Sequence, residues 1–231
     1  NAYQLQQSLL DPTRPPQPPA PAPSASKHKR SPLPPGTTLN ELLPPKGLSL
    51  NFARQVMGWR DSVLPYARRV QIVSIPYYSI DGKRSERYRT ALAGADRFRW
   101  ARNYHVSLYG LQHLAWIREQ GWVTLVEGET DTAQLMQRGI PALGVPGVQS
   151  WKLEWAEILK GLQVFVWQES DAAGETLAKK VCAAIPGAGI ITAPSGAKDP
   201  CELAVLVGHD FIDRFTALVA QAKTIPAPPS D

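Results

Sequence analysis

Between Trp122 and Val207 the chain repeats one pattern four times: a short apolar run, then a stretch with helical spacing. The runs are WVTLVEG, PALGV, QVFVWQ and GIITAP. The stretches between them read as helices over Thr130–Gln137 (ended by Gly139), Trp151–Lys160 (ended by Gly161), Ala173–Ala184, and one beginning at Cys201–Val207. Apolar runs without polar alternation suit strands buried on both faces, and strand–helix alternation implies parallel neighbours joined by covering helices. The crossovers should be right-handed. The expected fold class is therefore α/β and Rossmann-like: a mostly parallel four-stranded sheet with helices on both faces. Sites in such sheets lie beyond the carboxyl ends of the strands, which directs attention to the residues after Val126, Val145, Trp167 and Thr192.

Three of those four ends are acidic and lie close to glycine: Glu127-Gly128-Glu129-Thr130-Asp131, Glu169-Ser170-Asp171 with Gly174 beyond, and Gly196-Ala-Lys198-Asp199. Parallel neighbours are about 4.8 Å apart, so such loops can bring their carboxylates together. Carboxylates gathered without counter-charge repel and tend to stay protonated. A hard divalent ion relieves this; Mg²⁺ prefers oxygen ligands and bridges carboxylates to phosphates. Taken singly, an acid after a strand is equally a helix cap, and Asp131 and Asp171 allow that reading.

The rest of the chain is different in kind. Residues 1–36, rich in Pro, Ala and Ser, cannot bury an apolar face and are expected to form a disordered Pro-rich tail containing a short basic cluster, Lys27–Arg30. Thr38 can cap a turn stopped by Pro44-Pro45, and LSLNFARQVMGW has helical spacing. Residues 70–110 read as a small curved β-sheet built from VQIVSIPYY, a turn at Asp81-Gly82, RSERYRT, and a third strand over Asp96–Trp100. From Arg54 to Arg102 there are eleven Lys and Arg against four acids; from Trp122 to Leu206 there are six bases against ten acids. A basic module followed by an acidic one suits an enzyme that grips a polyanion with one part and holds cations with the other; two solvated surfaces would give the same counts. Cys182 and Cys201 are in no CxxC pair, and the four histidines are scattered, so no zinc site can be assembled and reduced thiols are expected. No apolar run approaches the roughly 20 residues of a membrane span. The first residue, Asn1, is not Met, so a fragment or a processed chain is expected.

The segment VTLVEGETDTAQLMQRGIPALGVPG resembles the first motif of the Toprim family, and VFVWQESDAAGETLAKK resembles its second. GAKDPCEL is similar to the Lys-Asp-Pro stretch of primase-type members. IPYYSIDGKRSERYRTALAGADRFRW and SLYGLQHL resemble the segment and connector that precede Toprim in bacterial and phage primases and primase-helicases. The resemblance covers about residues 70–210. It implies a small basic α+β subdomain at 37–115, a Toprim domain at 116–223 and a C-terminal tail at 224–231.

The same resemblance implies a Mg²⁺-dependent primase, with Mn²⁺ as a substitute, that joins nucleoside triphosphates on single-stranded DNA, with a replicative helicase as a partner, a cytoplasmic location, and a role in replicating a chromosome, phage or mobile element. By it, Glu127, Asp131 and Lys198 are the catalytic candidates, and Glu127, Glu169, Asp171 and Asp199 the metal ligands. Lys198 would reach a triphosphate; the alternative is a surface lysine. Arg87, Arg89, Arg97, Arg99, Arg102 and Lys83 are the candidates for template or nucleotide. Arg97 and Arg99 are expected to share one strand face, with Phe98 turned towards the core. Tyr77 and Tyr78 are expected to pack, not to act as nucleophiles. The family's metal-binding pair is usually Asp-x-Asp, so Glu169 is a departure whose extra methylene shifts the ion. A non-catalytic nucleic-acid-binding module and a Toprim nuclease remain rival readings. A dinucleotide-binding enzyme has no support, since no GxGxxG follows the first strand.

Overall fold

The computed structural model describes residues 33–94 and 96–224, apart from the side chain of Arg68. The expected N-terminal tail, with its Lys27–Arg30 cluster, and the C-terminal tail fall largely outside these residues. The described residues belong to one compact unit.

Two short helices open it, α1 (Leu39–Leu42) and α2 (Leu50–Gln55). The Thr38 amide donates to the Glu41 carboxylate at 2.8 Å, and Ser49 Oγ accepts from the Phe52 amide at 3.3 Å, so each first turn has a side-chain partner for a backbone N–H. An antiparallel sheet follows in the order β1 (Arg60–Leu64), β2 (Ala67–Tyr78), β3 (Arg84–Arg89), β4 (Phe98–Trp100). The β2–β3 hairpin turns at Asp81-Gly82, as the sequence predicts. Strand β1 is not legible from periodicity: RDSVL is mostly exposed, and it is a strand because β2 supplies its hydrogen bonds.

After α3 (Leu114–Gln120) comes the alternating half: β5 (Trp122–Glu127), α4 (Glu129–Met136), β6 (Ala142–Val145), α5 (Glu154–Ile158), β7 (Gln163–Gln168), α6 (Ala172–Ala184), β8 (Gly189–Thr192), α7 (Pro200–Val207), α8 (Phe211–Ala220) and β9 (Lys223–Thr224). The sheet order is β6-β5-β7-β8-β9. The four expected strands are parallel; a fifth, two-residue strand runs antiparallel along β8, so the sheet has five strands where the sequence predicts four. Two polar residues carry no period-two signal, and the tail expected from residue 224 loses its first residue to this strand.

Alternation along the strands divides the interior. Val123, Leu125, Val164 and Val166 face a core shared with α3, α5 and α6. Val126, Phe165, Trp167 and Ile191 face the opposite core, shared with α4, α7 and α8 and with Trp59, Val73, Ile75 and Tyr77 of the antiparallel half. That second core joins the two sheets. Each large side chain buried in it contributes about 1.5–3 kcal/mol, and Trp59 also donates its indole N–H to the Tyr109 hydroxyl at 2.6 Å. Among the described residues no helix is long and apolar enough to cross a membrane. Both cysteines are free and buried.

Candidate functional site

In the strand order β6-β5-β7-β8 the chain reverses direction of travel between β5 and β7, and the crevice at that switch point is where open α/β sheets bind ligands. Glu127 ends β5 and Glu169 follows β7 directly. A cleft of about 740 Å³ opens there, lined by the acids Glu127, Glu129, Asp131, Glu169, Asp171 and Asp199 with Lys198 among them, and by Lys46, Arg87, Arg89, Arg97, Phe98 and Trp100.

Two glycines set the acids. Gly128, with φ of 91°, turns the chain from β5 into α4 in a conformation that L side chains rarely adopt. Gly174 packs so closely that a Cβ there would sit 2.5 Å from both the amide nitrogen and the carbonyl oxygen of Glu169. The first turn of α6 therefore presses on the Glu169 backbone. Asp171 caps that helix, accepting from the Gly174 amide at 2.9 Å.

The acids form two groups. In the first, Lys198 Nζ lies 2.9 Å from Glu169 Oε2 and 2.8 Å from Asp171 Oδ2. Glu169 is 8% exposed. Burial pushes the Glu169 carboxyl up, the Lys198 contact opposes that, and Glu127 adds to the rise. Burial also raises Glu127, helped by Asp171 and opposed by Lys198, Arg97 and Arg87. The Lys198 contact holds Asp171 low, and Asp171 and Glu169 together raise Lys198. This corrects the expectation of acids without a counter-charge: where two carboxylates share a partly dry crevice, the adjacent ammonium is drawn between them.

In the second group the ligand atoms of Asp131, Asp199 and Cys201 lie within 4.8 Å of one another, a grouping that could hold a metal ion. Asp131 accepts from the Cys201 amide at 3.2 Å, and Asp199 caps α7 through the Glu202 amide at 2.7 Å while bound to Lys46 Nζ at 3.3 Å. Burial first, then Asp199, pushes Asp131 to about 7. Burial and Asp131 drive the Cys201 thiol well above its usual range, so it stays protonated and the cluster offers hard cations only its two carboxylates.

Across the cleft, three guanidinium groups surround one phenyl ring. Arg87, Arg89 and Arg97 lie 4.1, 4.6 and 5.5 Å from the Phe98 centroid. Register explains the pairing: Arg89 is opposite Phe98 and Arg87 opposite Trp100, so these four share a face. Phe98 is thus half-buried against arginines and not turned to the core, while Arg97 precedes β4 and does not share a face with Arg99. Burial and the neighbouring Arg97 lower Arg89 to about 10. Among the described residues, neither Arg89 nor Arg97 has an ion-paired carboxylate.

Three candidates lie elsewhere. Lys83 pairs with Asp81 at 2.7 Å in the hairpin turn. Arg99 is on the opposite face, bonded to the Tyr66 hydroxyl. Arg102 is exposed beyond β4 and does not line the cleft. Two lining residues escape the sequence reading. Glu129, 2% exposed, accepts from the Tyr77 hydroxyl and from Arg87 Nη1 at 2.7 Å, tying the two sheets together. Its place in the acidic string after β5 was the available signal. Lys46 has no local signal, because its partner Asp199 is 153 residues away.

The fold, an acid-ended parallel sheet with its crevice at the switch point preceded by a basic antiparallel sheet, is shared with solved primase fragments. Particular relatives bear this out. The chain is similar to the Aquifex aeolicus primase (zinc-binding and RNA polymerase domains), with TM-score 0.65 and 17% identity over 80% of this chain and 56% of that one. It is similar to a chain in the structure of bacteriophage T7 lagging-strand DNA polymerase interacting with primase domains bound to an RNA/DNA hybrid and dTTP, with TM-score 0.60 and 20% identity over 79% of this chain and 92% of that one. The Gene 57 protein of Mycobacterium phage D29 is 35% identical over 91 residues, which are 39% of this chain and 59% of that protein. The chain therefore spans less than two thirds of both the Aquifex and the D29 relatives. No protein-family model matches it.

Proposed function

We propose that this chain is the catalytic part of a primase, joining nucleoside triphosphates into short primers on a single-stranded DNA template with Mg²⁺, or Mn²⁺ in its place. The observation that carries this reading is the cleft itself: Glu127, Glu169 and Asp171 at the switch point, facing Arg87, Arg89 and Arg97 around Phe98. The acids suit a hard cation by their chemistry. All three donors are oxygen, burial holds two of them above the usual carboxylate range, and the pair at 169 and 171 already gathers one positive charge, that of Lys198. Glu127, Glu169 and Asp171 would hold Mg²⁺, with Asp131 and Asp199 close by. The ion, when bound, lowers the pKa of a primer 3′-hydroxyl and neutralises charge on the triphosphate.

The chain's own groups do the rest. Arg89 and Arg97 offer uncompensated charge to a triphosphate or template phosphate, and Phe98 holds them in place through its ring face. Arg87, fixed by Glu129, presents a cation of set orientation. Burial raises the Glu127 carboxyl, which makes it a stronger base than an ordinary glutamate. Residues 37–115 would grip nucleic acid and residues 116–223 would carry the chemistry, as a cytoplasmic replication protein working with a replicative helicase. The T7 primase domains bound to an RNA/DNA hybrid and dTTP support this class of ligand.

The second reading, a non-catalytic nucleic-acid-binding module, is favoured by one contact: Lys198 already neutralises Glu169 and Asp171. Replacing Glu127 by Gln separates the two. Primer synthesis from single-stranded DNA and nucleotides should fall at least about 100-fold, while DNA affinity stays within twofold. Undiminished synthesis would refute the catalytic assignment.

A further inference from the structure

Lys198 stands between two anchored points. Its amide donates to Glu202 Oε2 at 2.8 Å, and its carbonyl accepts from the Trp167 indole N–H at 3.0 Å. Trp167 is 1% exposed and stacked in parallel on Phe215, so that second anchor belongs to the core. The Lys198 backbone is therefore fixed and its side chain, 45% exposed, is the part free to move. The ammonium at its tip neutralises Glu169 and Asp171, the two acids whose oxygens the proposed function assigns to a divalent cation. Two cations cannot share that pair closely: charges of like sign a few ångströms apart in a partly desolvated crevice repel strongly.

We propose that Lys198 and a divalent cation compete for the Glu169–Asp171 pair, and that nucleotide phosphates, by accepting the displaced ammonium, make metal and nucleotide bind cooperatively. This deepens the proposed function and rests on its metal-and-nucleotide reading. When the metal takes the carboxylates, the Lys198 ammonium loses its partners, and a triphosphate entering the same cleft supplies new ones. Each ligand then removes a cost for the other. Linkage makes the effect reciprocal, so metal must tighten nucleotide binding by the factor by which nucleotide tightens metal binding. Lys198 is thus a positioning residue for metal and a contact for phosphate, in alternation. It explains how a lysine expected to reach a triphosphate can be found on two carboxylates.

The test uses the full chain with Mn²⁺ as probe. Mn²⁺ affinity is measured without nucleotide for the parent, Lys198→Met and Lys198→Arg. The affinity of a fluorescent, nonhydrolysable nucleoside triphosphate is then measured with Mn²⁺ and with chelator. Comparing the metal-induced gain between proteins cancels Mn²⁺–nucleotide complexation in solution. Lys198→Met should bind Mn²⁺ about tenfold more tightly than the parent, and its nucleotide gain from metal should be smaller by about fivefold or more. Lys198→Arg, which keeps the charge, should stay near the parent, and circular dichroism melts check that all three are folded. Equal Mn²⁺ affinity in parent and Lys198→Met, or an unchanged nucleotide gain, overturns the competition and leaves the primase reading standing. If Mn²⁺ binds to none of the three, the competition and the metal assignment fall together.

Discussion

The antiparallel sheet carries charge along its faces, whereas the parallel sheet carries it only at its strand ends. In β3 the residues Arg84, Glu86, Arg87 and Arg89 all point charge from a strand that is partly open to solvent. In β5, Val123 to Val126 are buried without exception, and Glu127 is the first side chain that can be ionised. The reason is coverage. A sheet sandwiched by helices on both faces has no place for a charge except where the strands stop. A sheet with an open face can alternate charge along its length. The two arrangements meet at the cleft, where arginines from strand faces look across at carboxylates from strand ends. The difference teaches that the basic wall depends on register and the acidic wall on topology, and each should fail in its own way when perturbed.

Glu129 is the sharpest place to break this contrast, because it is an acid of the parallel half buried against Tyr77 and Arg87 of the other. Glu129→Ala leaves the Arg87 guanidinium buried without its partner and should cost about 3–5 kcal/mol in urea unfolding. A loss below about 1 kcal/mol would mean that the two walls are not joined through this pair. Next in size is Gly174→Val. Its Cβ would meet the Glu169 backbone, and overpacking of this kind costs about 1–3 kcal/mol. Because the acidic wall depends on chain path, Mn²⁺ affinity should fall with stability, while single-stranded DNA affinity, set by the arginine wall, should not.

A third test of the acidic wall is a pH dependence. Asp131 is at about 7 in the folded protein and 3.8 is its reference value, so between those values the folded state holds a proton that the unfolded chain has released. Stability should therefore fall as pH rises from about 4 to 7 and level off above. Asp131→Asn should remove that slope, seen in metal-free thermal melts as the loss of the parent's fall in Tm between about pH 4 and 7. A variant with the parent's slope would show that Asp131 is ionised throughout.

The same contrast decides what could be read from the sequence. The parallel strands were legible because continuous apolar runs such as QVFVWQ have few alternatives, and the acids at positions 127 and 169 followed from where those runs end. Strand β1 and the two-residue β9 were not legible, since neither buries a patterned face. The Arg87–Glu129 pair was not, because register between β3 and β4 and the docking of α4 decide it, for partners 42 positions apart. Strict alternation from Arg97 predicts Phe98 facing the core, and it fails because Arg97 lies one residue outside β4. The sequence places Lys198 near the acids, but its pairing with Glu169 and Asp171 needs β7 and β8 side by side.

The Lys46–Asp199 contact spans 153 residues, and this bears on how the protein is made. Contacts of such high sequence separation form late, since loop closure must be completed before they contribute. On a ribosome, where the amino-terminal part emerges first, the arginine-bearing hairpins can collapse long before position 199 has been synthesised. A nascent chain would thus expose a polyanion-attracting surface before the acidic half of the cleft has formed beneath it.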